Sequence, residues 1–271
     1  MSKILRRRVS TLTAALLLAG IGTTVVGTAT TATAGTQTSF QHYLCYNAVA
    51  PRGFSIPAGV ELINSFAPNG FVPTFGVAWY QCNPAVKTVP GASFPITNRT
   101  WHYLCFGIST DQPSNEVTVT NQFGSAELTT TSPNDFCVPS WTWLHKGQYK
   151  KASQPAGEDH YTCYPVTYTG SGAYSPPSPV QVSDEFTPSG TTTTVTVGAP
   201  EELCVPTEKI LPSGETYQID NPDLNYLCFD VSATPIKNPA FDKDQFGRGK
   251  LAIRPTQWLC LPSTVSSGGG N

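Results

Sequence analysis

Charge is what this sequence has least of. Only 13% of its 271 residues are Asp, Glu, Lys or Arg, against about 25% in ordinary domains, and the formal net charge is −2. No basic face is available for nucleic acid or for an anionic membrane surface, so neither is expected as a partner. Helical periodicity is missing as well. Beyond residue 34 no stretch of about 11 residues keeps a helical repeat, and 24 prolines and 23 glycines would interrupt most candidates. Close Cys-x-x-Cys pairs are absent, which removes the usual zinc frameworks, and no metal or other cofactor is expected. Histidine is scarce at four residues, so a histidine-based catalytic triad has little to draw on.

The one apolar run, residues 12–26, falls short of the roughly 20 residues a membrane helix needs and is diluted by Gly20, Gly22, Thr23 and Thr24. It follows a basic head (Lys3, Arg6, Arg7, Arg8) and precedes Ala32-Thr33-Ala34, the order of a secretory signal peptide over 1–34. The mature chain is therefore expected outside the cell, with no membrane insertion. All eight cysteines lie beyond that leader, and an even count in an exported chain reads as disulfides.

A repeat organises the rest. "HYLCY" at residues 42–46 returns as "HYLCF" at 102–106, "HYTCY" at 160–164 and "NYLCF" at 225–229, so four units of about 60 residues follow one another. Each unit closes on Cys-x-Pro: Cys82-Asn83-Pro84, Cys137-Val138-Pro139, Cys204-Val205-Pro206 and Cys260-Leu261-Pro262. Between these marks stands an acidic or amide residue two before a phenylalanine, at Asn64/Phe66, Asn121/Phe123, Asp184/Phe186 and Asp244/Phe246. Alternating apolar pairs precede it in three units; the fourth has Ala240 and Asp242 there and reads as a weaker strand. Period two, Thr and Val enrichment and Gly/Pro punctuation are strand and hairpin grammar.

The expected fold is all-β: four tandem, disulfide-stapled antiparallel units over 35–97, 98–156, 157–218 and 219–265, with a flexible tail at 266–271. Whether the units form beads, pair into two sandwiches or close on one another is left open. Eight cysteines allow 105 pairings. The repeat singles out Cys45 with Cys82, Cys105 with Cys137, Cys163 with Cys204, and Cys228 with Cys260.

In a strand Tyr43 and Cys45 face one way while His42, Leu44 and Tyr46 face the other, so this histidine and cysteine share no metal. The fourth copy has Asn225 in the histidine place, which reads the slot as structural. The ordered trio HYxCY, DQF and CxP resembles a cysteine-pair repeat of exported bacterial and archaeal proteins, a domain-of-unknown-function family, over residues 39–265. That resemblance implies an exported β-domain and nothing about activity.

Few residues are left to carry chemistry. His145 is the one histidine outside the repeat slot, in "WTWLHKGQYKK", and Trp141, Trp143 and His145 form a candidate binding segment in a connector between units two and three. Asp242 to Gly247 begins like an EF-hand loop, but Phe246 and Ile253 stand where oxygen ligands belong. Glu201 and Glu202 should face apart on a strand, which argues against a glycosidase pair. The expectation is a secreted non-catalytic binding or envelope protein with an extracellular glycan or protein as partner. The alternatives are a hydrolase with its site between repeats, and a protease inhibitor.

Overall fold

A computed structural model describes residues 40–49, 53–144, 157–232 and 239–267. The leader, His145 and residues 268–271 lie outside the described residues.

Sixteen strands and, among the described residues, no helix make up the fold. Unit one holds β1 (His42–Val49), β2 (Glu61–Asn64), β3 (Ala67–Phe71), β4 (Thr74–Val89) and β5 (Ala92–Phe94); unit two holds β6 (His102–Ser109), β7 (Glu116–Asn121), β8 (Gly124–Thr130) and β9 (Asp135–Trp143). Unit three holds β10 (His160–Tyr174), β11 (Val180–Ser183), β12 (Thr193–Ile210) and β13 (Thr216–Tyr217); unit four holds β14 (Asn225–Ser232), β15 (Pro239–Asp244) and β16 (Gly247–Ser267).

The units close on one another. Within each, the Tyr-x-Cys strand pairs antiparallel with the Cys-x-Pro strand: β1 with β4, β6 with β9, β10 with β12 and β14 with β16. Each Cys-x-Pro strand then pairs with the first strand of the next unit, and β16 pairs back to β1. Eight strands in chain order thus form a closed up-and-down barrel, which leaves its wall no free edge.

Alternation sorts the side chains into three inner layers. Tyr43, Tyr103, Tyr161 and Tyr226 stand opposite Pro84, Pro139, Pro206 and Pro262. One step along, the eight cysteines face each other in register and form four bridges, Cys45–Cys82, Cys105–Cys137, Cys163–Cys204 and Cys228–Cys260, with Cα atoms 3.9 to 4.0 Å apart. The four tyrosine rings meet edge to face around the axis, with centroids 5.1 to 5.5 Å apart. An eight-stranded barrel is just wide enough to be filled by side chains. The cavity left among rings and sulfurs measures about 30 Å³, room for little beyond one water.

The prolines explain what happens outside. Each stands just past the last rung between its strand and the next unit's first strand (Cys82↔Tyr103, Cys137↔Tyr161, Cys204↔Tyr226, Cys260↔Tyr43), where a missing N–H costs no ladder bond. Released there, the strand runs on and pairs with the hairpin of the unit opposite. The end of β4 takes β11, β9 takes β15, β12 takes β2 and β16 takes β7. The connector expected between units two and three is therefore partly strand, as are the stretches of β4 and β12 beyond their prolines. So is the start of the expected tail, since Ser266 and Ser267 pair with Thr118 and Val117.

The third sequence mark locks this exchange. Asn64, Asn121, Asp184 and Asp244 each accept the backbone N–H of the phenylalanine two residues on, a side-chain turn that fixes the tip of the hairpin. That phenylalanine then packs on the fifth residue of the opposite unit's HYxCY: Phe66 on Tyr164, Phe123 on Phe229, Phe186 on Tyr46 and Phe246 on Phe106. The weak fourth-unit strand exists because Asp242, wholly buried, accepts hydrogen bonds from Ser140 and Thr142 of unit two.

Candidate functional site

A barrel filled at its middle leaves only its two ends for chemistry. At the end where the Tyr-x-Cys strands begin, the carboxyl of Glu158 stands against the Tyr43 hydroxyl, and burial, aided by Asp159, pushes its pKa up to about 9. Burial likewise holds the Tyr43, Tyr103 and Tyr161 hydroxyls well above the ordinary tyrosine range. Asp159 anchors the chain segment opposite by accepting from the backbone of Asp220 and Asn221. This end is plugged by the tyrosine hydroxyls and the neutral Glu158 carboxyl.

The other end is built differently. Two residues before the second cysteine of each unit, one side chain projects into the barrel beneath the sulfurs: Tyr80, Asp135, Glu202 and Trp258. Their partners across the sheet within each unit are Asn47, Gly107, Pro165 and Asp230. The ring is half aromatic and half acidic. Tyr80 and Trp258 pack together with ring centroids 4.1 Å apart and planes tilted by 40°. Asp135 and Glu202 face one another within hydrogen-bonding reach, Glu202 carrying the shared proton.

Bulges aim the neighbouring residues. Trp79 is the extra residue between Ala78 and Tyr80 where β4 pairs with β6, and bulges re-aim side chains at barrel rims. Its ring lies over Gly107, 3.4 Å from where a β-carbon there would stand, and its indole N–H donates to Asp135. Asn134, the same place in unit two, donates from its amide to Glu202 at 3.0 Å. Trp79 and Asn134 thus each reach the carboxyl of the next unit.

Burial of Asp135 raises its pKa to about 6 although Trp79 and Glu202 donate to it. Glu202 is raised well above the ordinary range, first by burial and then by the Asp135 charge. Burial thus favours a proton on Glu202, donated to Asp135. Both carboxyls are buried, at 0% and 3% exposure, while Trp79 remains 39% exposed and Asp230 and Glu201 lie at the rim. The mouth is an aromatic shelf with acid at its base.

The sequence missed this site. Glu201 and Glu202 do face apart, one exposed and one buried, but the partner of Glu202 comes from another unit, 67 residues earlier. The available signal was the slot two before each second cysteine, where an otherwise constant skeleton carries Tyr, Asp, Glu and Trp.

The expected binding segment is placed differently from expectation. Trp141 and Trp143 are the end of β9, paired with Lys243 and Phe241 of β15, and are no connector. Both are half-buried, and Trp143 stacks on Phe241 with centroids 6.4 Å apart. The ring face of Trp143 is thus partly taken by the fold.

The repeated histidines are buried, and His42 and His102 link one unit to another. The Gln122 amide donates to His42 Nε2 at 2.6 Å, and burial and Lys87 depress His42 to about 3, leaving it a neutral acceptor. His102 Nε2 meets Glu185 at 3.0 Å. His160 accepts from Lys209 at 2.7 Å, and burial followed by the lysine charge lowers its pKa far below the usual value.

No family model, no curated protein and no solved structure matches this chain.

Proposed function

We propose that this chain is an extracellular, non-catalytic binding module that takes a glycan at the acidic and aromatic mouth of its barrel. The observation that carries the reading is the bulge at Trp79, which holds an exposed indole face beside the buried Asp135–Glu202 pair. A flat ring covers the apolar face of a sugar, while the exposed rim carboxyls of Glu201 and Asp230 accept from its hydroxyls and the buried pair holds the indole in place through Asp135. A disulfide-closed interior suits an oxidising compartment, and the leader read from residues 1–34 supports export.

The test is retention of the oxidised protein, collected from an exporting host, on cell walls and insoluble polysaccharides at two salt concentrations. Retention that survives high salt and is lost in Trp79→Ala but kept in Trp141→Ala supports the mouth. Retention lost only in Trp141→Ala or Trp143→Ala moves the site to the β9 end. No retention on any glycan removes this reading in favour of a protein ligand.

The facing carboxyls favour one second reading, hydrolysis of the bound glycan at a site between units. Release of new reducing ends by the wild type, lost in Asp135→Asn, would replace binding by catalysis.

A further inference from the structure

Sulfur fills the middle of the barrel, and bridges of neighbouring units touch at two seams. Cys137 Sγ lies 3.8 Å from Cys163 Sγ, and Cys45 Sγ lies 3.6 Å from Cys260 Sγ. Each contact joins the bridge of one unit to the bridge of the next, across the β9–β10 seam and the β16–β1 seam. At both seams a sulfur set free on one bridge stands in contact with a sulfur of its neighbour.

Exchange between thiol and disulfide needs two things. A sulfur must reach a disulfide sulfur, and the departing sulfur must be stabilised as it leaves. In buried apolar surroundings a thiolate is costly, so a proton donor beside the leaving sulfur matters. The two seams differ in this respect. At the β9–β10 seam, Glu202 places a carboxyl oxygen within 4.8 Å of both Cys163 Sγ and Cys204 Sγ. Asp135 accepts its hydrogen bond, and burial with the Asp135 charge keeps the proton on Glu202 against the opposing pull of the Asn134 amide, which donates to the carboxyl. At the β16–β1 seam the matching places hold Tyr80 and Trp258, which supply no acid.

We propose that the Cys105–Cys137 and Cys163–Cys204 bridges form an internal thiol–disulfide relay in which Glu202 is the proton donor to the leaving sulfur. A small dithiol opens the first bridge and is itself oxidised to a disulfide, leaving Cys105 and Cys137 as thiols. Cys137 then attacks Cys163. The Cys137–Cys163 bond forms as the Cys163–Cys204 bond breaks, and the electron pair leaves on Cys204. Glu202 gives that sulfur its proton, and the proton lost from the Cys137 thiol returns to the carboxyl pair. One thiol and one disulfide enter the step and one of each emerges, so it needs no further oxidant. The relay is independent of glycan binding and uses the inner side of the same acid.

The wild type supplies its own control. The oxidised protein receives a brief pulse of dithiothreitol, is quenched in acid at successive times, alkylated and mapped by mass spectrometry. The expected result is a Cys137–Cys163 cross-linked peptide that appears before any Cys45–Cys260 peptide, with alkylation of Cys204. Glu202→Gln should slow the first by on the order of 10²-fold and leave the second unchanged. Asp135→Asn, which keeps the shape but unsettles the shared proton, serves if Glu202→Gln does not fold. A Cys105→Ala variant tests the end state, since label should then be found on Cys204 as well as Cys137. Equal rates at the two seams, no Cys137–Cys163 peptide, or label confined to Cys137 in Cys105→Ala would overturn the relay.

Discussion

Phe186 of the third unit lies edge-on against Tyr46 of the first, their ring centroids 5.0 Å apart, and both side chains are almost wholly buried. Asp184, which fixes the turn carrying Phe186, also accepts from Asn83 at 3.1 Å and from the Tyr46 hydroxyl. The hairpin of one unit is thus part of the core of the unit opposite it.

Phe186→Ala should cost about 3 to 5 kcal/mol, the usual range for removing a buried phenylalanine. Because the ring belongs to two units, no one unit should unfold ahead of the others. Denaturant unfolding of the oxidised protein, followed by tryptophan fluorescence and by far-ultraviolet circular dichroism, should give coincident transitions in wild type and variant. Separate transitions would mean that the units stand alone.

Lys87 is buried with its ammonium over the rings of Phe94 and Phe123, 4.5 and 4.7 Å from their centres, and burial lowers its pKa to about 7. The folded value lies below the unfolded one, so the folded protein holds fewer protons between about pH 7 and 10.5. Stability contributed by this group therefore rises with pH across that window. Lys87→Met should stabilise the protein by about 1 to 3 kcal/mol at pH 7, and by less at pH 10. Melting temperatures of the two proteins at both pH values decide it.

Glu158 acts in the opposite direction. Its pKa is raised to about 9 in the fold, so below the ordinary value of 4.5 both states are protonated and nothing is lost. As pH climbs from there toward 9 the unfolded chain ionises first, and the folded state loses ground. Glu158→Gln should match the wild type at pH 4 and exceed it at pH 8. An unchanged difference across that range would mean that the carboxyl is not buried against the tyrosines.

Trp79→Phe keeps a ring at the mouth and removes the N–H that donates to Asp135. Asp135 should then titrate above its value of about 6, since the indole hydrogen bond lowers it. Carboxyl-detected NMR titration of the two proteins reads the shift directly.

Much of the wall was legible because it depends on spacing of one or two residues. The alternation of Tyr43 and Cys45 against Leu44 and Tyr46 places two residues inside the barrel and two in the outer core, and it can be counted along the chain. The repeat also singled out one partner for each cysteine. The exchange between opposite units was not legible, because its contacts join residues about 100 or more apart, as Asn64 with Tyr164 and Asn121 with Ser263. Composition rules also place lysine and aspartate outside, yet Lys87, Lys209 and Asp242 are wholly buried. The Asp135–Glu202 pair was hidden for the same reason as the exchange, since neither carboxyl has an acidic partner within its own unit.

Pairing of the last strand to the first sets a counting rule. In an open stack of repeats a copy can be gained or lost at either end, one duplication at a time. Here β16 already occupies the side of β1 where a fifth copy would have to enter, and each hairpin needs the unit two places on. With an odd number no unit stands directly opposite another, so the reciprocal exchange seen between units one and three has no counterpart. Lineages of this chain should therefore vary the lengths of their loops while holding the copy number at four.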